Sequence, residues 1–107
     1  MERINTQQLE SMMESNSDLA VINALPEGSA RETHIEGTSN IPIERDDFVE
    51  QVEKTAGGKN QPVVVYCANT ECDVSDKAAK KLEENGFQRV YDYEGGVKAW
   101  ENEHAKA

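Results

Sequence analysis

The run Val63-Val64-Val65-Tyr66, which follows Pro62, constrains the fold of this chain more than any other segment. Three consecutive β-branched residues followed by an aromatic one favour a strand over a helix. Because the run is apolar without alternation, both faces of the strand need cover, which is typical of a central strand in a parallel sheet. Parallel strands require crossover connections, and these are usually helices.

The rest of the sequence alternates between strand and helix patterns around this run. Further strands are predicted at Ile4, from Leu19 to Leu25, and at Val90-Tyr91. Helices are predicted from a cap at Thr6 to about Ser15, from a cap at Asp46 or Asp47 to Gly57-Gly58, from Ser75 to Gly86, and around Val97 and Trp100. Short connections and right-handed crossovers place helices on both faces of a small parallel sheet. We therefore predict a single three-layer α/β domain over residues 1–107.

The composition limits the partners of this chain. Leu, Ile, Val and Phe account for 20 of the 107 residues, a fraction typical of disorder, but they are concentrated on the predicted strands and inward helix faces. A net charge of −10 disfavours nucleic acid, whose binding depends on clustered Lys and Arg. No stretch approaches the about 20 apolar residues of a membrane span or the apolar run of a signal peptide. We expect a cytoplasmic protein that binds neither nucleic acid nor membrane.

Cys67 directly follows the predicted central strand, where ligands bind in open α/β sheets. The segment between Cys67 and Ser75 is a candidate substrate-binding loop, and it consists of Ala68, Asn69, Thr70, Glu71, Cys72, Asp73 and Val74. Loop N–H groups and the positive end of a helix lower the pKa of a thiol from about 8.5 into the range of about 3.5 to 7.5. Cys67 is therefore a candidate nucleophile. The alternative is a small buried hydrophobic residue that ends the strand.

Cys72 lies in the same loop, five residues after Cys67. It is a candidate resolving thiol, because its sulfur could attack a persulfide on Cys67 or form a disulfide with it. The alternative is that Cys72 packs under the loop or is exposed without a function. A metal site built from both cysteines with His34 and His104 is disfavoured, since the gap between the cysteines is wider than the two-residue gap commonest in zinc sites. We predict no metal and no cofactor.

Motifs along most of the chain have a familiar order. After Cys67 and Ser75 come Ala78, Ala79, Leu82, Gly86, Phe87, Val90, Tyr91, Gly95, Gly96 and Trp100. The first half holds the segment His34-Ile35-Glu36-Gly37-Thr38-Ser39-Asn40-Ile41-Pro42 and the strand Val21-Ile22-Asn23. From about Ile4 to Trp100, this order and spacing resemble a single-domain rhodanese.

The resemblance implies a sulfurtransferase in which Cys67 accepts a sulfane sulfur as a persulfide and passes it to a thiophilic acceptor. The donor would be a polysulfide, a small persulfide or a protein persulfide, and the acceptor a thiol or cyanide. Two other functions stay open. One is a non-catalytic rhodanese-like module that binds another protein and retains Cys67 for packing, and the other is a thiol redox switch that uses Cys67 and Cys72.

The candidate loop departs from the family pattern. That pattern reads Cys, two variable residues, Gly, one variable residue, Arg and Ser, whereas here seven residues without Gly or Arg separate Cys67 from Ser75. At the end of the second predicted strand, Asn23 replaces the Asp of the family, and Leu25 replaces the basic residue that often follows.

The same region is acidic, since Glu71, Asp73 and Asp76 lie in or beside the loop. Like charges at close range oppose the binding of an anion, and the loop supplies no cation to offset them. We therefore expect weak activity with thiosulfate or other dianionic donors. Polysulfides and organic or protein persulfides are the favoured donors.

Overall fold

The computed structural model describes residues 1–31, 33, 35, 37–68 and 73–104 of the chain. Within these residues, strands and helices alternate. The strands are β1 (Glu2–Ile4), β2 (Ala20–Asn23), β3 (Ser39–Asn40), β4 (Val63–Tyr66) and β5 (Val90–Tyr93). The helices are α1 (Thr6–Ser15), α2 (Glu27–Ala30), α3 (Phe48–Ala56), α4 (Val74–Glu84) and α5 (Gly96–His104).

The strands form one parallel sheet in the order β1-β5-β4-β2-β3. The predicted central strand, β4, occupies the centre. At its carboxyl end, Tyr66 is in register with Asn23 of β2 and with Tyr93 of β5. Residues that follow β4 therefore lie at the same sheet edge as the ends of its two neighbours.

Alternate residues of β4 pack into two separate cores. Val63 and Val65 pack with Phe48 of α3 and Leu82 of α4 in one buried cluster. The second cluster lies on the opposite face and joins Val64 and Tyr66 to residues of α1 and α5. Helices thus cover both faces, and the predicted three-layer α/β arrangement is confirmed.

The N-cap of α1 is Asn5 rather than the predicted Thr6. The Asn5 side chain accepts a hydrogen bond from the Gln8 N–H, and the Gln8 side chain accepts one from the Asn5 N–H, each at 2.8 Å. Thr6 is buried instead, and its hydroxyl is hydrogen-bonded to that of Tyr93. Thr6 therefore attaches α1 to β5, which leaves the cap to its polar neighbour.

The second strand is shorter than the predicted span from Leu19 to Leu25. It ends at Asn23, whose side-chain oxygen accepts a hydrogen bond from the Leu25 N–H at 3.0 Å. An Asn side chain bonded to its own backbone two residues on produces a turn. The short elements α2 and β3, which follow this turn, have no counterpart in the predictions.

Both ends of α3 lie where the sequence predicts them. The helix starts after Asp47 and stops at Gly57, which adopts φ +89°. The Asp47 carboxylate does not cap the helix, because it accepts two hydrogen bonds from Arg45, at 2.7 and 2.9 Å. The Arg45 hydrogen bond lowers the pKa of Asp47 to about 2.

The helices are short, and the longest described one, α4, has 11 residues. Its buried residues include Ala78, Ala79 and Leu82, as the predicted apolar face requires. None of the described helices combines the length and the apolar character that crossing a membrane demands.

Candidate active site

Cys67 is fully buried at the carboxyl edge of the sheet, directly after β4. Its carbonyl accepts a hydrogen bond from the Val97 N–H at 3.1 Å, and the carbonyl of Ala68 accepts one from the Lys98 N–H at 3.0 Å. Because both donors belong to the first turn of α5, this helix holds the chain in place where it leaves β4.

A close backbone contact reinforces this attachment. Gly96, the first residue of α5, has φ +62°, and a Cβ added to it would lie 2.2 Å from the Cys67 carbonyl oxygen. Glycine adopts positive φ without a steric cost and has no Cβ to collide. The Gly95-Gly96 pair therefore permits the approach of α5 to Cys67.

Ser75, in the first turn of α4, contacts the cysteine. The helix begins at Val74, one residue before the predicted start at Ser75, so Ser75 lies inside its first turn. Ser75 is buried, and its Oγ lies 3.6 Å from the Cys67 Sγ, a hydrogen-bond contact to sulfur. The positive end of the α4 dipole therefore lies beside the sulfur, where it favours negative charge.

The structure holds Cys67 in a disulfide-bonded state. Four residues of the predicted loop lie outside the described residues, namely Asn69, Thr70, Glu71 and Cys72. Of the remaining three, Ala68 and Val74 are half-buried, and Asp73 is exposed. The described part of the loop thus consists of its two ends, which join β4 to α4.

Two of the three acids in this region have cationic partners, and these partners lie outside the loop. Asp73 pairs with Lys77 at 3.2 Å, while Asp76 pairs with Lys80 at 3.0 Å and with Arg3 at 3.2 Å. The Lys80 hydrogen bond is the main cause of a lowered pKa of Asp76. The compensating charges come from the next turn of α4 and from β1, so they are not visible within the loop sequence.

Sequence analysis missed Asp92, which lies in β5 between Tyr91 and Tyr93. The residue is 1% exposed, and its Oδ1 has no hydrogen-bond partner among the described residues. Burial raises the pKa of Asp92, and a hydrogen bond with Ser75 acts in the opposite direction. The available signal was an acidic residue inside a strand that is covered on both faces, where charged side chains are rare.

Asn23 has a structural role at the neighbouring strand end. It is fully buried, and its Nδ2 donates to the backbone carbonyl and to the Oγ1 of Thr33, at 3.2 and 3.1 Å. Its Oδ1 accepts the hydrogen bond from the Leu25 N–H. The amide at this position therefore holds the turn after β2 without a charge.

Of the two histidines considered as metal ligands, His104 alone lies within the described residues, and His34 lies outside them. The ring of His104 stacks on Trp100, with centroids 4.2 Å apart, and its Nε2 lies 3.1 Å from a carboxylate oxygen of Glu10. His104 thus belongs to the contact between α1 and α5.

A curated relative matches part of the chain. The chain is 36% identical over 67 residues to an uncharacterized protein, YqhL, of Bacillus subtilis strain 168. This match covers 63% of the chain and 48% of YqhL, so the chain spans about half the length of this curated relative.

Solved structures share the fold. The Alr3790 protein from Anabaena sp. superimposes with a TM-score of 0.77 at 25% identity, over 92% of this chain and 85% of the other. The polysulfide-sulfur transferase homodimer from Wolinella succinogenes superimposes with a TM-score of 0.74 at 21% identity, over 97% of this chain and 75% of the other. The model of the rhodanese-like domain matches residues 5–103. With that match over nearly its whole length, the chain belongs to the rhodanese-like domain family.

Proposed function

We propose that this protein is a sulfurtransferase that carries sulfane sulfur as a persulfide on Cys67. The observation that supports this most is the position of the cysteine in a rhodanese-like domain. It lies at the carboxyl end of the central strand, with its Sγ 3.6 Å from Ser75 in the first turn of α4. A helix N-terminus and a hydroxyl donor both stabilise a thiolate, which is the nucleophilic form of the thiol.

The proposed reaction has two steps and needs no cofactor or metal. The Cys67 thiolate attacks a sulfane sulfur of the donor, an S–S bond of the donor breaks, and the remainder leaves with the electron pair. The product is a persulfide anion on Cys67. An acceptor thiolate or cyanide then attacks the outer sulfur, and Cys67 leaves as the thiolate, so the enzyme is regenerated without net oxidation.

The donor class follows from the charges around the cysteine. Asp73 and Asp76 are paired with cations, but Arg3, Lys77 and Lys80 are thereby occupied and are not available to a dianion. We propose polysulfides and small or protein persulfides as donors, with thiosulfate a weak one. The structural similarity to the polysulfide-sulfur transferase from Wolinella succinogenes supports this choice. The reducing cytoplasm is the proposed location, because a thiol nucleophile persists there.

Sulfur loading tests the proposal. The protein is reduced with a dithiol, freed of reductant, incubated with polysulfide, and its mass is measured intact. The wild type and Cys72→Ser should each gain one sulfur atom that cyanide removes as thiocyanate, whereas Cys67→Ser should gain none. Cyanide-labile sulfur on Cys67→Ser would contradict the role of Cys67. A wild type that takes up no sulfur from any donor class would leave a redox switch or a protein-binding module.

Thiol redox switching is a second candidate, and the disulfide-bonded state of Cys67 favours it. In this case Cys67 forms and breaks a disulfide, with Cys72 as the candidate partner, and no sulfur donor is needed. Equilibration in glutathione buffers of graded potential, followed by alkylation and mass measurement, should show a reversible two-electron transition that Cys72→Ser abolishes. An unchanged transition in Cys72→Ser would exclude this pairing.

A further inference from the structure

A buried polar line leads from Cys67 through Ser75 to Asp92. All three side chains are 0 to 2% exposed. Ser75 contacts the Cys67 Sγ at 3.6 Å. It also lies close enough to the Asp92 carboxyl group to oppose the rise in the pKa of Asp92 that burial causes. The line joins the end of β4, the first turn of α4 and the middle of β5, so three separate elements build it.

Burial of a carboxyl group in this position is costly. A buried polar group that makes no hydrogen bond destabilises the fold, and Oδ1 of Asp92 has no partner among the described residues. The hydrophobic cluster on this face requires no acid at this position, since Val90 of the same strand packs into it. Asp92 is thus a buried titratable group that the two-step sulfur transfer does not use directly.

The charges that face Asp92 come from three elements. Asp76 of α4 and Glu94, just after β5, oppose a negative charge on Asp92, while Arg3 of β1 favours it. Arg3 is in register with Asp92, but its guanidinium pairs with Asp76 and Glu94, at 3.2 and 3.5 Å. Within the described part of the chain, Ser75 is thus a polar group next to both Asp92 and the cysteine.

We propose that Asp92 is a positioning residue for Cys67. The protonation state of Asp92 determines whether the Ser75 hydroxyl donates its hydrogen bond to Asp92 or to the Cys67 sulfur. The inference rests on the proposed function, in which that sulfur reacts as a thiolate. A serine hydroxyl has a single hydrogen and donates to one partner at a time. Asp92 and Cys67 compete for that hydrogen.

Two arrangements of the reduced protein have the same number of protons. In the first, Asp92 is a carboxylate, the Ser75 O–H donates to it, and the Cys67 S–H donates to the Ser75 Oγ. In the second, Asp92 is a neutral acid that donates to the Ser75 Oγ, and the Ser75 O–H donates to the Cys67 thiolate. One proton moves from Sγ to Oγ and another from Oγ to Asp92, so the net charge is unchanged and nothing is oxidised.

The second arrangement prepares the cysteine for attack. It places the single negative charge on the sulfur, next to the α4 N-terminus, and keeps the acid neutral in its buried position. The titrations of Cys67 and Asp92 are coupled, because two negative charges in this small buried region repel each other.

Titration of the Cys67 thiolate tests the proposal. All variants contain Cys72→Ser, so that Cys67 is the only thiol, and the thiolate is followed by its ultraviolet absorbance and by the rate of iodoacetamide alkylation. Asp92→Asn keeps a neutral donor to Ser75, and Asp92→Leu removes both the charge and the donor at similar volume. The Asn variant should titrate about one pH unit below the Leu variant. Addition of Ser75→Ala should abolish that difference.

Three results would overturn the proposal. The Cys67 thiol could have the same pKa in Asp92→Asn and Asp92→Leu while Ser75 is present. Asp92 would then act on Cys67 only through its charge, at a distance. The difference between the two variants could also persist in Ser75→Ala. The control Asp76→Asn removes a neighbouring charge whose described ion pairs go to Arg3 and Lys80 and not to Ser75. Its effect on the Cys67 titration should therefore be the same with and without the Ser75→Ala substitution, and an effect that needs Ser75 would contradict the assignment.

Two further points keep the test decisive. Asp92→Leu is left out of the test if circular dichroism shows that it does not fold. In that case, the shift that Asp92→Asn causes in the Cys67 titration must be smaller when Ser75→Ala is also present. An equal shift with and without Ser75→Ala would contradict the connection through Ser75. Because no sulfur donor is involved, failure of the protein to load sulfur would count against the proposed function and leave this result standing. If the protein takes up sulfur normally but the Cys67 thiol titrates at the same pH in Asp92→Asn and Asp92→Leu, the role of Asp92 is wrong and the proposed function stands.

Discussion

Buried polar groups on the two faces of the sheet differ in their hydrogen bonding. On the face covered by α1 and α5, the Tyr66 hydroxyl accepts from the Ile35 N–H at 3.1 Å and lies 2.7 Å from the hydroxyl of Thr38. The Tyr93 hydroxyl on the same face is bonded to that of Thr6. On the face covered by α4, Asp92 is equally buried, yet one carboxyl oxygen has no partner among the described residues.

This difference separates polar groups with a structural role from Asp92, for which a role at the site is proposed. The tyrosine hydroxyls connect distant segments, and their bonds offset the cost of burial. Asp92 retains a cost that the surrounding packing does not remove, and it is next to the serine that contacts Cys67. Substitutions on each face can test this division, and Gly96 lies where the two faces meet.

Gly96→Ala should have the largest effect. The residue opens α5, which covers one face, and it contacts the Cys67 carbonyl, from which the chain continues to α4 on the other face. A Cβ at 2.2 Å from that oxygen and a positive φ together should cost about 2–4 kcal/mol of unfolding free energy. Urea denaturation measures this loss, and alkylation of Cys67 in the same variant should change its pH dependence.

Gly28→Ala is the matched control for this substitution. Gly28 lies in α2, and no atom comes within 4 Å of a Cβ added there. Alanine in a helix is favoured over glycine by up to about 1 kcal/mol, so the variant should be as stable as the wild type or slightly more stable. A Gly96→Ala protein that matches Gly28→Ala in stability would show that the contact between α5 and Cys67 is not tight.

Tyr66→Phe should have the second-largest effect and should affect stability alone. Loss of the hydroxyl leaves the buried N–H of Ile35 without the acceptor it now has, which costs about 1–3 kcal/mol. The loss should be the same between about pH 5 and pH 8, because no carboxyl group takes part. Thermal unfolding measures it, with the half-buried Tyr91→Phe as control, and a loss that varies with pH over this range would contradict the division of the two faces.

Asp92→Asn should have a smaller effect that depends on pH. Burial raises the folded-state pKa of Asp92, so the folded protein binds this proton more tightly than the unfolded chain does. Wild-type stability therefore falls as the pH rises from about 4, the ordinary value for Asp, through the raised pKa. Asparagine lacks this dependence, so the Tm of the variant minus that of the wild type should increase with pH over this window and then level off.

Asp76→Asn should show the opposite sign and the smallest effect. The Lys80 hydrogen bond lowers the pKa of Asp76 in the folded state. Its contribution is therefore present above about pH 4 and is lost as the pH falls through the lowered value. An ion pair of this partly exposed kind contributes about 0.5 kcal/mol. If both Asn variants changed Tm with the same sign across the acid range, the contrast between buried and paired carboxyl groups would be wrong.

Several features of the site could be predicted from the sequence because their causes are local. The β-branched run indicates β4, and the position of Cys67 at its end follows from the order of residues alone. Gly57 marks the end of α3 because its positive φ is a property of that residue. The resemblance to rhodaneses implied the chemistry that is proposed for Cys67, and the family match confirms the resemblance itself.

Features that depend on distant partners could not be predicted in this way. Asn5 and not Thr6 caps α1, because the Thr6 hydroxyl is hydrogen-bonded to the Tyr93 hydroxyl. The acidic charge beside the loop is offset by Arg3, which is 73 residues away from Asp76. Neither contact leaves a periodic or compositional trace, because each joins segments that only the folded sheet brings together.

The sequence by itself determined the parallel α/β architecture, the central strand and the position of the cysteine after it. These depend on residues whose preferences act over a few neighbours. Only the tertiary structure decided which groups surround Cys67, since Ser75 and Asp92 come from α4 and β5 and meet it through the register of the sheet. In the sequence alone, an Asp within a strand indicates no function. Asp92 becomes a candidate for function because packing buries its carboxyl group beside Ser75, which contacts the Cys67 sulfur.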